Sequence, residues 1–161
     1  MTNNDVLRSL RYALELDNGT LVECFALADV DMPLTFLASL LKKDDEPGFE
    51  PLSDELLVRL LDGLVVKLRG PREEATSRPA EAPGPLTNNR ILRSLRIGLG
   101  LKDTDVLGIM QLAGVTVTKS ELGALFRRED HRNYQPCGDQ FLRNFLKGTA
   151  LWHRASATRA Q

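Results

Sequence analysis

The stretch TNNDVLRSLR at residues 2–11 returns as TNNRILRSLR at residues 87–96. Sliding the chain by 85 positions sets 2–70 against 87–155 without a gap, and 22 of the 69 pairs are identical. They include Leu7/Leu92, Arg8/Arg93, Arg11/Arg96, Asp45/Asp130, Pro51/Pro136, Asp54/Asp139 and Gly63/Gly148. Self-similarity of this length at one fixed offset is a tandem duplication. The rest of the chain reads as one unit written twice and decorated differently.

Apolar residues recur at three- and four-residue intervals, and no stretch alternates strictly, so each copy reads as four helices. In helix one, Val6, Leu7, Leu10 and Leu14 form a stripe matched by Ile91, Leu92, Leu95 and Leu99. The Asn pairs 3–4 and 88–89 are expected to cap its free N–H groups, and Asn18 and Asp103 to cap helix two. Helix two carries Leu21, Val22 and Phe25, or Val106, Leu107 and Met110, and breaks at Asp29 or Gly114. Pro33 opens helix three in one copy; Thr118, with Glu121 three residues on, has capping-box spacing in the other. Ser53 or Gly138 stands ahead of helix four, with Asp54 or Asp139 at the positive end of its dipole. Its inward face is expected to hold Leu56, Leu57, Leu60, Leu61, Leu64 and Leu68, against Phe141, Leu142, Phe145, Leu146, Thr149 and His153. Gly63 and Gly148 lie inside this helix, where glycine costs about 1 kcal/mol relative to Ala, so close backbone packing is expected to compensate.

The fold class is therefore all-α, a tandem duplication of a four-helix, helix-turn-helix-like unit. Copy one spans 2–70 and copy two 87–155, with a linker at 71–86 and a tail at 156–161. The linker, PREEATSRPAEAPGPL, holds four prolines and little apolar surface to offset ordering entropy. At 161 residues, 42% apolar and 27% charged, the composition is that of a globular chain. No apolar run is long enough to span a bilayer, and the N-terminus lacks a signal-peptide pattern, so a cytoplasmic location is expected and a membrane is not. Cys24 and Cys137 occupy unmatched positions without metal-ligand spacing and read as buried thiols.

Copy one holds 7 Lys/Arg against 13 Asp/Glu, and copy two 11 against 6. Opposite net charge on two tethered units is expected to favour their docking. The repeated Arg8, Arg11, Asp45 and Asp54, with Arg93, Arg96, Asp130 and Asp139, are expected to form ion pairs holding helix one against the loop and helix four.

Catalytic motifs are absent: there is no GxxxxGK[ST], HExxH or GxSxG, and GLGLKD at 98–103 lacks the third glycine of a dinucleotide fingerprint. His131 and Cys137 share a loop, but nothing obvious orients the imidazole, and copy one has Glu46 and Leu52 there. The acidic run Asp44, Asp45, Glu46 is out of register with a calcium loop. The expectation is a non-enzyme with no cofactor and no metal.

The repeat, the LRSLR helices, the loop KKDDEPGFEPLSDELL at 42–57 and its partner RREDHRNYQPCGDQFLRNFLKG at 127–148 resemble the bacterial YehS-type family, small proteins with two tandem copies of a domain of unknown function. The resemblance covers both copies, PCGDQFLRNFL at 136–146 being its most specific run. It implies an all-helical tandem protein and carries no catalytic residues. DVLGIMQLAGVTVTKSELGALFRR at 105–128 also resembles a phage-repressor-type helix-turn-helix.

Two kinds of partner follow. Leu34 and Phe36 fall away from Leu37, Leu40 and Leu41 on helix three, which implies a protein partner or the twin copy. Nucleic acid is the alternative: helix three of the basic copy would present Lys119, Ser120, Glu121, Gly123 and Ala124 to a groove, with Arg127 and Arg128 on phosphates. That outward set lacks Arg, Asn or Gln for bidentate base reading.

Overall fold

The structure, a computed structural model, describes residues 1–70 and 85–159, and side chains as far as residue 156. All regular structure among the described residues is helical: α1 Asn3–Ala13, α2 Asn18–Leu27, α3 Leu34–Leu41 and α4 Asp54–Arg69 in copy one, then α5 Asn88–Leu99, α6 Asp103–Leu112, α7 Lys119–Phe126 and α8 Asp139–Arg159 in copy two. The duplication is thus written helix for helix. The expected linker falls mostly on residues 71–84, outside the described residues, and α8 runs beyond residue 155 into the expected tail.

The helix starts correct the capping expectations. Thr2 and Thr87 are the caps of α1 and α5, their hydroxyls accepting the N–H groups of Asp5 and Arg90. α2 is capped by Asp17, whose carboxylate accepts the Thr20 N–H, so Asn18 is already its first residue. At α6 the Asp105 carboxylate accepts the Lys102 N–H at 2.8 Å, and Asp103 lies inside the helix. Each real cap sits one residue ahead of the expected one, where the backbone is still extended; the side-chain oxygens of Thr2, Thr87 and Asp17 turn back onto the first turn, whereas Lys102 has none and only its N–H is held. Thr118 and Ser53 do cap α7 and α4. The breaks after α2 and α6 use a left-handed residue at matched positions, Asp29 (φ 63°) and Gly114 (φ 82°), and so do those after α1 and α5, Glu15 (φ 54°) and Gly100 (φ 64°). Copy two has the glycines that favour this conformation, and copy one bears side chains in it.

Helix four lies mainly on helix two of its own copy, α4 on α2 and α8 on α6. The crossing is close enough that a Cβ on Gly63 would come 1.7 Å from the Cys24 carbonyl oxygen, and one on Gly148 2.1 Å from that of Ile109. The other face of each fourth helix meets helix one of the other copy, α4 on α5 and α8 on α1. This reciprocal exchange fuses the two units into one apolar core running from Val6 and Leu7 through Leu60 and Leu92 to Phe145 and Leu146. Leu68 and His153 are exceptions to the expected inward face: Leu68, in the last turn of α4, is 46% exposed, and His153 is half-exposed beside Glu15.

Cross-copy docking is apolar rather than a pairing of opposite charges. Ion pairs between the copies lie at the rim: His153 and Arg154 approach Glu15 at 3.8 and 3.9 Å, and the Met1 ammonium meets Asp139 at 2.7 Å. The last places a cation of the acidic copy on a carboxylate of the basic one, against the net-charge trend. Exposed pairs of this kind contribute little. Burial of α1 and α5 faces supplies the rest.

Candidate binding surfaces

The loop before helix four is fixed by the residues read as caps. Asn4 is buried; its Nδ2 donates to the carbonyls of Leu40 and Glu50, each at 2.9 Å, and its Oδ1 accepts the Leu52 N–H at 3.0 Å. Asn89 repeats the bracket on Leu125, Gln135 and Cys137. Asn3 and Asn88 donate to the carboxylates of Asp54 and Asp139 at 2.7 and 2.8 Å. One amide can donate twice and accept once, which is what three converging backbone groups require. These brackets hold the end of helix three against the start of helix four, and so set the surfaces on both.

The expected ion pairs are replaced by bonds to helix ends. Arg8 donates to the Lys42 carbonyl at 2.8 Å and pairs with Asp5 on its own helix; Arg93 points to the Phe126 carbonyl at 3.5 Å. A guanidinium at the negative end of helix three satisfies carbonyls that a carboxylate could not. Arg11 donates to Asn18, and Arg96 pairs with Asp103 while stacking over the Phe126 ring at 4.6 Å. Asp45 has no hydrogen bond or ion pair among the described residues, and Asp130 meets exposed Arg128 at 3.3 Å. The Met1 ammonium, then Asn88, hold the Asp139 carboxyl below the ordinary carboxylate range.

Leu34 and Phe36 stand on α3 in solvent, 60% and 37% exposed, while Leu37 and Leu40 on the same helix are fully buried. The twin copy does not cover them. Their matched residues on α7 are Lys119 and Glu121, also exposed. The scaffold therefore accepts charge at both positions, and the apolar pair belongs to copy one alone.

In copy two, Arg127 and Arg128 share a cleft of ≈ 540 Å³ with Arg90, Arg93 and the Tyr134 ring. Glu129 and Asp130 also line it. Lys119 and Ser120 are exposed but do not join it: they open α7, and Arg127 follows its last turn, about 12 Å away at 1.5 Å per residue. Ala124 is buried, which removes it from the expected outward set. Sequence reading missed Arg90 and the contribution of Arg93, although Arg90 replacing Asp5 in an otherwise repeated motif marks a change of charge at this spot.

His131 and Cys137 do not form a nucleophile–base pair. The Cys137 thiol is pushed up to about 12 by burial and then by Asp139, and it donates to the Gly138 carbonyl at 3.6 Å. Exposed His131 accepts the Asn133 N–H on Nδ1 at 3.0 Å. A thiol so shifted carries almost no thiolate near neutral pH. Among the described residues no group of three or more His, Cys, Asp or Glu is arranged to hold a metal ion, and no helix is long and apolar enough to cross a membrane.

The family described as "Protein of unknown function (DUF1456)" matches twice, over residues 3–70 and 88–155. The chain is 41% identical over 150 residues to the "Uncharacterized protein YehS" of Escherichia coli (strain K12), covering 93% of this chain and 95% of that protein. No solved structure matches. With both helical units matched and the relative aligned nearly end to end, the chain belongs to the DUF1456 family.

Proposed function

We propose that this protein is a non-catalytic interaction or regulatory protein of the cytoplasm that acts through its helical surfaces, with a protein partner on α3. The observation that carries this reading is the pair Leu34 and Phe36, solvent-exposed on a helix whose duplicate carries Lys119 and Glu121 at the same positions. Burying the part of each side chain still in water against a partner contributes about 1 kcal/mol or more, and leaving it there gains nothing for the fold. A photo-crosslinking residue placed at position 36 in cells should give a discrete protein adduct that the same residue placed at position 121 does not. Identical adduct patterns at the two positions would remove the basis of the proposal.

The second reading, a DNA- or RNA-binding regulator, is favoured by Arg90, Arg93, Arg127 and Arg128 around one cleft. On this reading the arginines meet phosphates, and Lys119 and Ser120 at the start of α7 lie nearer the bases in a helix-turn-helix manner. An electrophoretic shift with mixed genomic fragments at about 50 mM salt tests it, since phosphate-driven binding is strong there. A shift lost on Arg127→Glu with Arg128→Glu supports nucleic acid, and no shift favours the protein-contact reading.

A further inference from the structure

We propose that the groove between α1 and α8 binds a small amphiphilic carboxylate, an apolar body carrying one acid group. The groove has a volume of ≈ 520 Å³, within the range of about 300–1,000 Å³ typical of small-molecule sites. Its floor is apolar, made by the buried Leu146 and Ala150, and its walls are the exposed Tyr12 and Leu151, 68% and 43% accessible. Every charged residue lining it is a cation.

Those cations differ in what they already do. Arg8 is committed to Asp5 and the Lys42 carbonyl. Arg154 lies over the Tyr12 ring at 4.5 Å, donates to the Ala150 and Tyr12 carbonyls and comes within 3.9 Å of Glu15. Arg143 and Lys147 are exposed, one turn apart on α8, and make no hydrogen bond or ion pair among the described residues. Residues at this spacing share a helix face, so both can reach one carboxylate at the edge of the apolar floor.

The duplication supplies an internal control. The matching contact between α4 and α5 keeps the floor residue Leu61 for Leu146, and the arginines Arg93 for Arg8 and Arg69 for Arg154. It has Val58 where α8 has Arg143, Asp62 where α8 has Lys147, and Ile97 where α1 has Tyr12. The two contacts serve the same packing, so Arg143, Lys147 and Tyr12 are not demanded by the fold. What they add is an aromatic wall and two exposed positive charges beside apolar surface, Arg143 being within electrostatic reach of Asp139 one turn back on α8. That combination favours an anion with a hydrophobic body over a nucleic-acid backbone, which would call for a longer track of cations. The site is separate from the α3 surface and does not depend on it.

The test is calorimetric titration of the full chain at about 50 mM salt with laurate, below its micelle concentration, beside dodecyltrimethylammonium and an oligothymidylate. Saturable laurate binding near one per chain is expected, weakened about tenfold or more by Arg143→Val with Lys147→Asp, the residues that α4 carries at these positions. Tyr12→Ile, the residue of α5, should weaken it as well, and Leu34→Glu with Phe36→Glu should leave it unchanged. Circular dichroism and a thermal midpoint establish that each variant is folded; if the double variant is not, Arg143→Glu alone provides the comparison. The proposal is overturned by absent laurate binding, by equal affinity in the folded variants, or by equal binding of the cationic amphiphile. Binding of the oligothymidylate but not laurate, lost in the same variants, would overturn it in favour of nucleic acid.

Discussion

The Gly63 backbone passes so close to the Cys24 carbonyl that a Cβ there would sit 1.7 Å from the oxygen, and Gly148 stands in the same relation to Ile109. The obstructing atoms are backbone, so no rotamer change can relieve them. Gly63→Ala and Gly148→Ala should each separate helix four from helix two and cost about 3 kcal/mol, despite alanine's better helix propensity. Urea unfolding measures this, and a loss under about 1 kcal/mol would contradict the packing described.

Asn4 and Asn89 each satisfy three backbone groups in buried surroundings. Truncation to Ala leaves those groups without partners, at about 1–3 kcal/mol per buried group before water enters. Each Asn→Ala variant is expected to lose about 3 kcal/mol, and Asn→Asp to be nearly as harmful because the carboxylate cannot donate. Denaturant midpoints close to the parent's for Asn4→Asp would contradict the bracket.

Much of this was legible in the sequence, and what was not has a definite cause. Stripes such as Val6, Leu7 and Leu10 gave helix faces, and Gly63 with Gly148 gave a close approach, because both signals are local. A cap is the local reading of Asn4, whereas its partners lie 36, 46 and 48 residues away and only the folded chain brings them near. Apolar stripes state that a face is covered but not by what. The exchange of α1 and α5 between copies was therefore invisible, and so were the rim ion pairs that replaced the expected net-charge docking. For the surfaces, Leu34, Phe36, Arg127 and Arg128 could be picked out by comparing copies, while Arg90 was overlooked within a motif read as scaffold.

Because α1 is covered chiefly by α8, and α5 by the face of α4 turned away from α2, copy one alone exposes apolar faces on α1 and α4. Residues 1–70 expressed alone should either pair with a second molecule, recreating the contact between helix one and helix four across two chains, or lose cooperative unfolding. Sedimentation with thermal unfolding reads both outcomes. A monomer with a sharp transition would contradict the reciprocal packing.

The Cys137 thiol is raised from the ordinary thiol range to about 12 by burial, so the folded chain retains a proton that the unfolded chain releases. Its stabilising contribution is complete below about pH 9 and declines as pH rises toward 12, with a slope of at most about 1.4 kcal/mol per pH unit. Tyr134 shifts in the same direction through burial and adds to the decline at its upper end. Unfolding free energies between pH 8 and 11, read by urea titration, should fall less steeply for Cys137→Ala than for the parent; parallel curves would show that the thiol is not so shifted.

Whether a protein partner meets the exposed apolar pair on α3 is read out by affinity capture with nuclease present, comparing the parent with two folded variants. A discrete partner is expected that survives nuclease, is retained by Arg127→Glu with Arg128→Glu, and is lost with Leu34→Glu and Phe36→Glu. Capture abolished by nuclease or by the arginine variant, and indifferent to Leu34 and Phe36, would contradict it.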